Sequence, residues 1–165
     1  MKSLFQLIGD PTPFLNSVFE NLQRDKIDVN NFELDHICYR VDSFNRYLQL
    51  KNDLSSLGEV LSEKEINGRP ITVIKLRDAI LYQDRIIKLI ELPAPKLKSE
   101  YQEAYEHVEF VIDKSFDAFM TEYSYLEFET KGMKKKTNPD IKIKYNNLSI
   151  KFHHHSLEYV IRYLD

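Results

Sequence analysis

Two histidines stand at the same place in two copies of one short pattern. Residues 35–41 read DHICYRV and residues 106–112 read EHVEFVI, so an acid, a histidine and a β-branched residue recur in the same order. Neutral imidazole is a good metal ligand near pH 7. A repeat that presents a histidine twice at one register predicts two imidazoles directed at one place, and a metal site is the first hypothesis. Each histidine alone would be an ordinary hydrogen-bonded residue of a strand.

A carboxylate follows the first copy in a position that is atypical for a structural strand. Glu91 interrupts the aliphatic run 87–92, which reads IKLIEL. If it shares a surface with His36 and His107, two imidazoles and one carboxylate would suit a catalytic zinc ion or a non-haem Fe(II) ion. The set fits a divalent ion such as Zn, Fe, Mn or Ni. Alternatively, Glu91 pairs with a neighbouring cation, Lys88 or Arg40.

Alternation along a strand predicts which other side chains join the histidines. In the first copy Cys38 and Arg40 share the face of His36, and in the second copy Glu109 shares the face of His107. Glu109 is therefore a candidate general base. Arg40 is a candidate for binding a carboxylate or phosphate, because guanidinium binds such groups with paired hydrogen bonds.

Weaker candidates surround this set. Arg69 follows the turn residues Asn67 and Gly68, which predict a hairpin, and it could reach an anionic substrate or serve only the turn. His153 shares a face with Lys151 in the last predicted strand and either contributes to the site or belongs to a polar loop. The acids that precede the two histidines, Asp35 and Glu106, are expected to be solvated or to face a helix rather than to bind a metal.

The elements that must position these residues form an α+β pattern. Hydrophobic periodicity and turn residues predict a helix capped by Thr12, then βαβββ, then βαβββ, then a C-terminal helix. The expected ranges are strand 34–41, helix 43–57, strands 59–66, 70–76 and 86–92, strand 106–112, helix 115–125, strands 126–131, 141–145 and 148–153, and helix 156–164.

Length and the repeat predict a single domain that spans residues 1–165. It would contain an N-terminal helical segment (1–30), module one (about 34–92), module two (about 106–153) and a C-terminal helix (about 156–164). A repeated unit of this size must pair with its partner to bury its apolar face. Two modules in one chain allow either a monomer or a homodimer.

Composition excludes several classes of protein. The net charge of −3 gives no footprint for nucleic acid, and the Lys131–Lys136 cluster reads as a solvated loop. No apolar run approaches the roughly 20 residues of a membrane span, and the first residues lack the features of a secretory signal. A single cysteine, Cys38, excludes an intramolecular disulfide. We therefore expect a cytoplasmic protein that binds a small molecule, with neither nucleic acid nor a membrane as partner.

Several phrases together resemble the YecM family of the vicinal oxygen chelate superfamily, whose relatives include glyoxalases, bleomycin-resistance proteins and extradiol dioxygenases. The resemblance runs from about residue 35 to residue 158. It rests on Asp35-His36-Ile37 with Arg40, Leu61-Ser62-Glu63, Ile66 to Ile71, Glu91-Leu92-Pro93, Glu106 to Glu109, Asn138-Pro139, and Ile150 to His153 with Ser156. It implies two tandem βαβββ modules that form a cupped, barrel-like mixed sheet with helices outside.

The resemblance also implies a metal site at the first and last strand of each module. The matching positions are His36, Glu91 and His107, while the fourth ligand position falls on Lys151. Either three ligands hold the metal and Lys151 is a substrate anchor or base, or Lys151 replaces the metal by pairing with Glu91.

Three functions follow from these alternatives. The first is a metal-dependent lyase, isomerase or oxygenase that acts on a small oxygen-rich anion in a central cavity. The second is a non-catalytic small-molecule binding module that has lost the metal. The third is an interaction protein in which the repeat is only architecture.

Overall fold

The computed structural model of the chain describes residues 2–98 and 100–164. The elements, in chain order, are α1 (Leu4–Ile8), α2 (Thr12–Arg24), β1 (Glu33–Arg40), α3 (Phe44–Ser55), β2 (Gly58–Ile66), β3 (Arg69–Tyr82), β4 (Arg85–Pro93), β5 (Ala104–Val111), α4 (Phe116–Glu122), a short 3-10 helix (Lys131–Lys134), β6 (Asp140–Lys144), β7 (Ser149–His153) and α5 (Leu157–Tyr159), which continues as a π-helical turn (Val160–Leu164). The predicted α+β class with tandem modules is confirmed. No helix in these ranges is long and apolar enough to cross a membrane.

The chain divides into two compact units that do not follow its order. The first unit joins Met1–Thr12 to His36–Glu106, and the second joins Pro13–Asp35 to His107–Asp165. Helix α2 and the start of β1 therefore belong with the second module. That both units make one domain stays a prediction.

In the first unit the strands follow the order β2-β3-β4-β1. β1 runs parallel to β4, while β2 with β3 and β3 with β4 are antiparallel. The predicted hairpin at Asn67 and Gly68 is confirmed, since both residues have positive φ, 53° and 77°. This combination is what a tight two-residue turn requires.

The strand predicted at 70–76 implies a turn that begins at Arg77 and Asp78, and this prediction is wrong. Both residues lie inside β3, which continues to Tyr82, and the chain turns only at Gln83, whose φ is 53°. The pairing of β3 with β4 shifts register between Lys75 and Ile80. This irregularity accommodates the two polar residues without ending the strand.

Helix α3 begins where the sequence predicts it. The Ser43 hydroxyl accepts a hydrogen bond from the Arg46 backbone N–H, and the buried face consists of Tyr47, Leu50 and Leu54. Helical spacing predicts a buried stripe of Phe44, Tyr47, Leu48, Lys51 and Leu54, and this prediction is partly wrong, because Phe44 and Leu48 are 51% and 43% exposed. Leu50 takes their place on the buried face.

In the second unit the strands follow the order β5-β7-β6, with β5 parallel to β7 and β6 antiparallel to β7. The strand predicted at 126–131 is absent from the described residues. It is reduced to one bridge between Glu129 and Lys142, after which the 3-10 helix carries the chain away. A side chain at position 132 would collide with Asp140. Glycine at this position therefore allows the chain to bend tightly beside β6.

The two ends of this unit also differ from expectation. α4 ends at Glu122 rather than near residue 125. Helical spacing predicts burial of Phe116, Phe119, Met120 and Tyr123, and of these Met120 is only partly buried. The Ser156 hydroxyl caps the C-terminal helical segment as predicted, accepting a hydrogen bond from the Tyr159 N–H. Val160 is its buried apolar residue, whereas Leu164 is 46% exposed.

Candidate metal centre

In the first unit, His36 and Glu91 meet on one face of a parallel strand pair. The register sets Cys38 of β1 opposite Glu91 of β4, and His36 lies two residues earlier on the face of Cys38. His36 Nε2 is 4.0 Å from Glu91 Oε2, and the two side chains are 2% and 18% exposed. The predicted partnership of this imidazole with this carboxylate is therefore present.

The spacing of these two atoms suits a shared divalent ion. Two ligand atoms that each lie about 2.1 Å from one ion are about 3.0 Å apart at right angles and about 4.2 Å apart when opposite. The observed 4.0 Å falls inside that range. His36 is buried and Glu91 is partly buried, and an imidazole nitrogen with a carboxylate oxygen at this spacing fits the metal that the ligand set implies.

In the second unit the same register brings Lys151 to the position of Glu91. β5 and β7 pair Glu109 with Lys151, as β1 and β4 pair Cys38 with Glu91. Lys151 Nζ donates to Glu109 Oε1 at 2.8 Å and lies 3.2 Å from His107 Nε2. The two halves of the repeat therefore pair their strands in the same register. The carboxylate of Glu91 in the first unit corresponds to the ammonium of Lys151 in the second.

The contact between Lys151 and His107 involves the nitrogen that a metal ion would use. An ammonium has only donors, so a hydrogen bond from Lys151 to His107 Nε2 uses the lone pair of that nitrogen. Glu109 Oε1 lies equally close to Nε2, at 3.2 Å, and accepts from it in the tautomer that carries its hydrogen there. Binding of a metal by His107 would require the Nε2 lone pair, so the Lys151 ammonium would have to move away while Glu109 stays as its counter-ion.

Asp35 and His153 lie in the second unit beside this group. Asp35 is buried and its Oδ2 accepts from the Leu157 backbone N–H at 2.9 Å, so it faces a helix as expected. His153 is fully buried rather than part of a polar loop. Its Nε2 is 3.6 Å from Asp35 Oδ2 and 3.9 Å from Glu109 Oε2.

Sequence reasoning missed Asn138 as a site residue. Its side-chain nitrogen lies 2.6 Å from His153 Nδ1, fifteen positions along the chain. The only signal was the Asn138-Pro139 phrase within the family resemblance, which carries no chemical role by itself.

The two predicted anion-binding arginines contact the connector that follows β4. Arg69 donates to the Ala94 carbonyl at 2.8 Å, and Arg40 donates to the Gln102 carbonyl at 3.1 Å. The Arg40 guanidinium also lies 5.0 Å from the centre of the Tyr101 ring. These contacts give both arginines a structural function, and substrate binding by either one stays a prediction.

A partly buried ion pair fixes the end of the same connector. Arg46 binds both carboxylate oxygens of Glu103 at 2.8 Å, and the Tyr39 hydroxyl donates to Glu103 Oε1 at 2.9 Å. The hydrogen bond from Arg46 lowers the pKa of Glu103, and burial raises the pKa of Tyr39. This group orders the chain just before β5, the strand that carries His107.

A cavity of about 420 Å³ lies elsewhere in the first unit, at the start of α1 and the middle of β3. Its walls are mainly apolar and include Leu4, Phe5 and Ile80, with Asp78 as the charged residue. None of the predicted site residues belongs to this lining, so it is distinct from the His36–Glu91 pair.

The sequence matches the family described as "YecM protein" over residues 3–163. An uncharacterised protein of Haemophilus influenzae is 31% identical over 111 residues, which is 67% of this chain and 58% of that protein. Protein YecM of Escherichia coli is 29% identical over 109 residues, which is 66% of this chain and 58% of YecM. The matched part thus spans less than two thirds of either relative.

Solved structures with a similar fold include a structural-genomics protein and two epimerases. A structural-genomics protein called EC4020 has a TM-score of 0.79 at 25% identity, covering 93% of this chain and 89% of its own. Methylmalonyl-CoA epimerases from Streptomyces coelicolor and Mycobacterium tuberculosis have TM-scores of 0.54 and 0.52 at 11% and 12% identity. They cover 75% and 74% of this chain, and 97% and 87% of their own chains. The chain belongs to the YecM family and has a fold of the vicinal oxygen chelate kind.

Proposed function

We propose that this protein binds a divalent metal ion through His36, Glu91 and His107 and uses it as an enzyme. The substrate would be a small anion rich in oxygen atoms. The observation that supports this most directly is the pair of the buried His36 and the partly buried Glu91, whose 4.0 Å spacing suits a shared ion. The equivalent register of His107 in the second unit supports its choice as the third ligand.

The bound metal would act as a Lewis acid and stabilise negative charge that develops on a substrate oxygen. Glu109 would accept and return a proton, because it is a buried carboxylate whose Oε1 lies 3.2 Å from His107 Nε2. A carboxylate base beside an electrophilic centre suits lyase and isomerase chemistry, in which a proton leaves carbon. Oxygenase chemistry stays within the proposal, with Fe as its metal.

Lys151 would anchor the substrate anion or assist proton transfer. It already neutralises Glu109 at 2.8 Å and has further donors for a second anion. His153, Arg40 and Arg69 would complete substrate binding. A cytoplasmic location and a monomeric or homodimeric state belong to the same proposal.

Calorimetric titration of the metal-free protein with Zn²⁺, Mn²⁺, Ni²⁺ and, without oxygen, Fe²⁺ tests the ligand set. We expect one ion per chain for the wild type and at least tenfold weaker binding for His36→Ala and for His107→Ala. His155→Ala is the matched control, since that side chain is exposed and outside the ligand set. Equal binding by all four proteins would reject the site, and so would no binding of any ion.

One observation favours a second candidate, a small-molecule binding module without metal. The Lys151 ammonium lies 3.2 Å from His107 Nε2, the nitrogen that a metal would need, and so occupies the place of the ion. In this case the wild type would bind no divalent ion, and Lys151→Glu would create binding. Under the first proposal the wild type binds metal on its own, so the wild-type titration separates the two candidates.

A further inference from the structure

The side-chain amide of Asn138 has one fixed orientation. Its Oδ1 accepts from the His155 backbone N–H at 3.3 Å, and its Nδ2 donates to the His155 carbonyl at 2.9 Å. A backbone N–H can only donate and a carbonyl can only accept. Reversing the amide would break both hydrogen bonds, so Nδ2 lies on the side of His153.

This orientation determines the tautomer of His153. Asn138 Nδ2 carries only hydrogens for bonding, and it lies 2.6 Å from His153 Nδ1. His153 Nδ1 must therefore present its lone pair. A neutral imidazole with a lone pair on Nδ1 carries its hydrogen on Nε2. A doubly protonated ring would instead set an N–H against the amide hydrogens in a fully buried place.

The other side of the ring leads independently to the same tautomer. His153 Nε2 faces two carboxylate oxygens, Asp35 Oδ2 at 3.6 Å and Glu109 Oε2 at 3.9 Å. Ionised carboxylates only accept hydrogen bonds. The ring thus meets a donor at Nδ1 and acceptors at Nε2, and only the Nε2–H form matches both.

We infer that Asn138 is a positioning residue that holds His153 in the Nε2–H tautomer, with this N–H facing Asp35 Oδ2 at 3.6 Å and Glu109 Oε2 at 3.9 Å. Glu109 then has the Lys151 ammonium on Oε1 at 2.8 Å and the His153 N–H facing Oε2. Cationic and dipolar groups on both oxygens define the orientation of this carboxylate. The orientation of Glu109 matters for function only if Glu109 is a base, so this part rests on the proposed function. The assignment of the His153 tautomer does not rest on it.

The same reasoning bears on two other roles of His153. A metal ion binds imidazole through a lone pair, and in the metal-free protein the Nε2 that faces the carboxylates carries a hydrogen that an ion would have to displace. The ring cannot pass protons between its two nitrogens while Nδ1 accepts from Asn138. In the metal-free protein His153 therefore presents an N–H to the two carboxylates and does not act as a proton relay.

Long-range ¹H–¹⁵N NMR of the full-length, metal-free protein at pH 7 tests this inference, because the two tautomers give different correlation patterns. We expect the Nε2–H pattern for His153, assigned by its loss in His153→Gln. Asn138→Asp replaces the donor by an acceptor and should move a hydrogen onto Nδ1. Asn146→Asp is the matched control for the change of charge, in a turn outside this group, and should leave the pattern unchanged.

An Nδ1–H or doubly protonated His153 in the wild type would overturn the inference. So would a folded Asn138→Asp protein with an unchanged pattern; if that variant does not fold, the wild-type spectrum decides alone. Failure of the proposed function looks different. The Nε2–H pattern in a protein that binds no metal supports the inference and rejects the metal site, while metal binding with the Nδ1–H pattern does the reverse.

Discussion

At the scale of single residues, the two halves of the repeat agree in histidine and differ in charge. His36 faces Glu91 at 4.0 Å, and His107 faces Lys151 at 3.2 Å. The sequence predicts these positions because alternation along a strand and the repeat are both local patterns. It does not predict that Lys151 contacts His107 and Glu109, which lie 44 and 42 positions away, because such contacts depend on how the parallel strands align.

Replacing Lys151 tests the consequence of this difference in charge. Lys151→Glu removes the ammonium from beside His107 and adds a carboxylate at the fourth ligand position, so the proposal predicts at least tenfold tighter divalent-metal binding, measured by calorimetry. Lys88→Glu makes the same change in charge at an exposed position of β4 and should leave the affinity within about twofold. Weaker binding by Lys151→Glu than by the wild type would show that the fourth position does not face the metal.

At the scale of elements, the sequence predicts those whose signals are local. The predicted caps at Ser43 and Ser156 and the Asn67-Gly68 hairpin are present, because each depends on neighbours within a few residues. The predicted cap at Thr12 is wrong, because α2 begins at Thr12 and the Thr12 backbone N–H donates to Asp10. The strand expected at 126–131 is missing, since strand formation there would need a long-range partner, and β6 offers only the Glu129 bridge.

The Arg46–Glu103 pair should make stability depend on pH in the acid range. Arg46 lowers the pKa of Glu103 below its ordinary 4.5. The carboxylate therefore contributes stability above about pH 4.5, and this contribution is lost as the pH falls through the folded-state pKa. Because both side chains are about one quarter exposed, we expect only about 1 kcal/mol. Urea unfolding of the wild type and Glu103→Gln should differ at pH 7 and converge near pH 3; a constant difference would contradict the assignment.

Gly58 tests the close approach of β2 to β3. A Cβ at this position would collide with the Lys75 carbonyl oxygen, which is backbone and cannot rotate away. We expect Gly58→Ala to lower the free energy of unfolding by about 1–3 kcal/mol. The neighbouring exposed Glu59→Ala should change it by less than about 0.5 kcal/mol in the same urea titration. Equal stability of the two variants would show that the strands separate without cost.

At the scale of the whole molecule, the chain crosses between its units before either module is complete. Helix α2 belongs with the second module, where Phe19 packs edge-on against Phe110 at 6.2 Å between ring centres. The sequence predicts the helix from its apolar stripe but assigns it to neither module. An apolar stripe predicts that one face of a helix is buried. It does not predict which element covers that face, because the covering residues lie about one hundred positions away in the sequence.

Tyr145 tests the attachment of α2 to the second unit. Its hydroxyl donates to Asp25 Oδ2 at 2.7 Å, just beyond the end of α2, and Tyr125 donates to the Asp25 carbonyl at 2.8 Å. Tyr145→Phe should cost about 1 kcal/mol and speed hydrogen exchange at the end of α2, because it removes the hydroxyl that donates to the charged Asp25 carboxylate. Tyr125→Phe, at a 63% exposed residue, should cost less. Unchanged exchange in both variants would contradict this attachment.

The central claim, that His36, Glu91 and His107 hold one divalent ion, is tested most directly by crystals soaked in Mn²⁺ and measured for anomalous scattering. The proposal predicts one strong anomalous peak within about 2.3 Å of all three side chains, with Lys151 Nζ displaced from His107 Nε2. No peak at these residues, together with Lys151 still hydrogen-bonded to His107, would contradict it and favour the metal-free binding module.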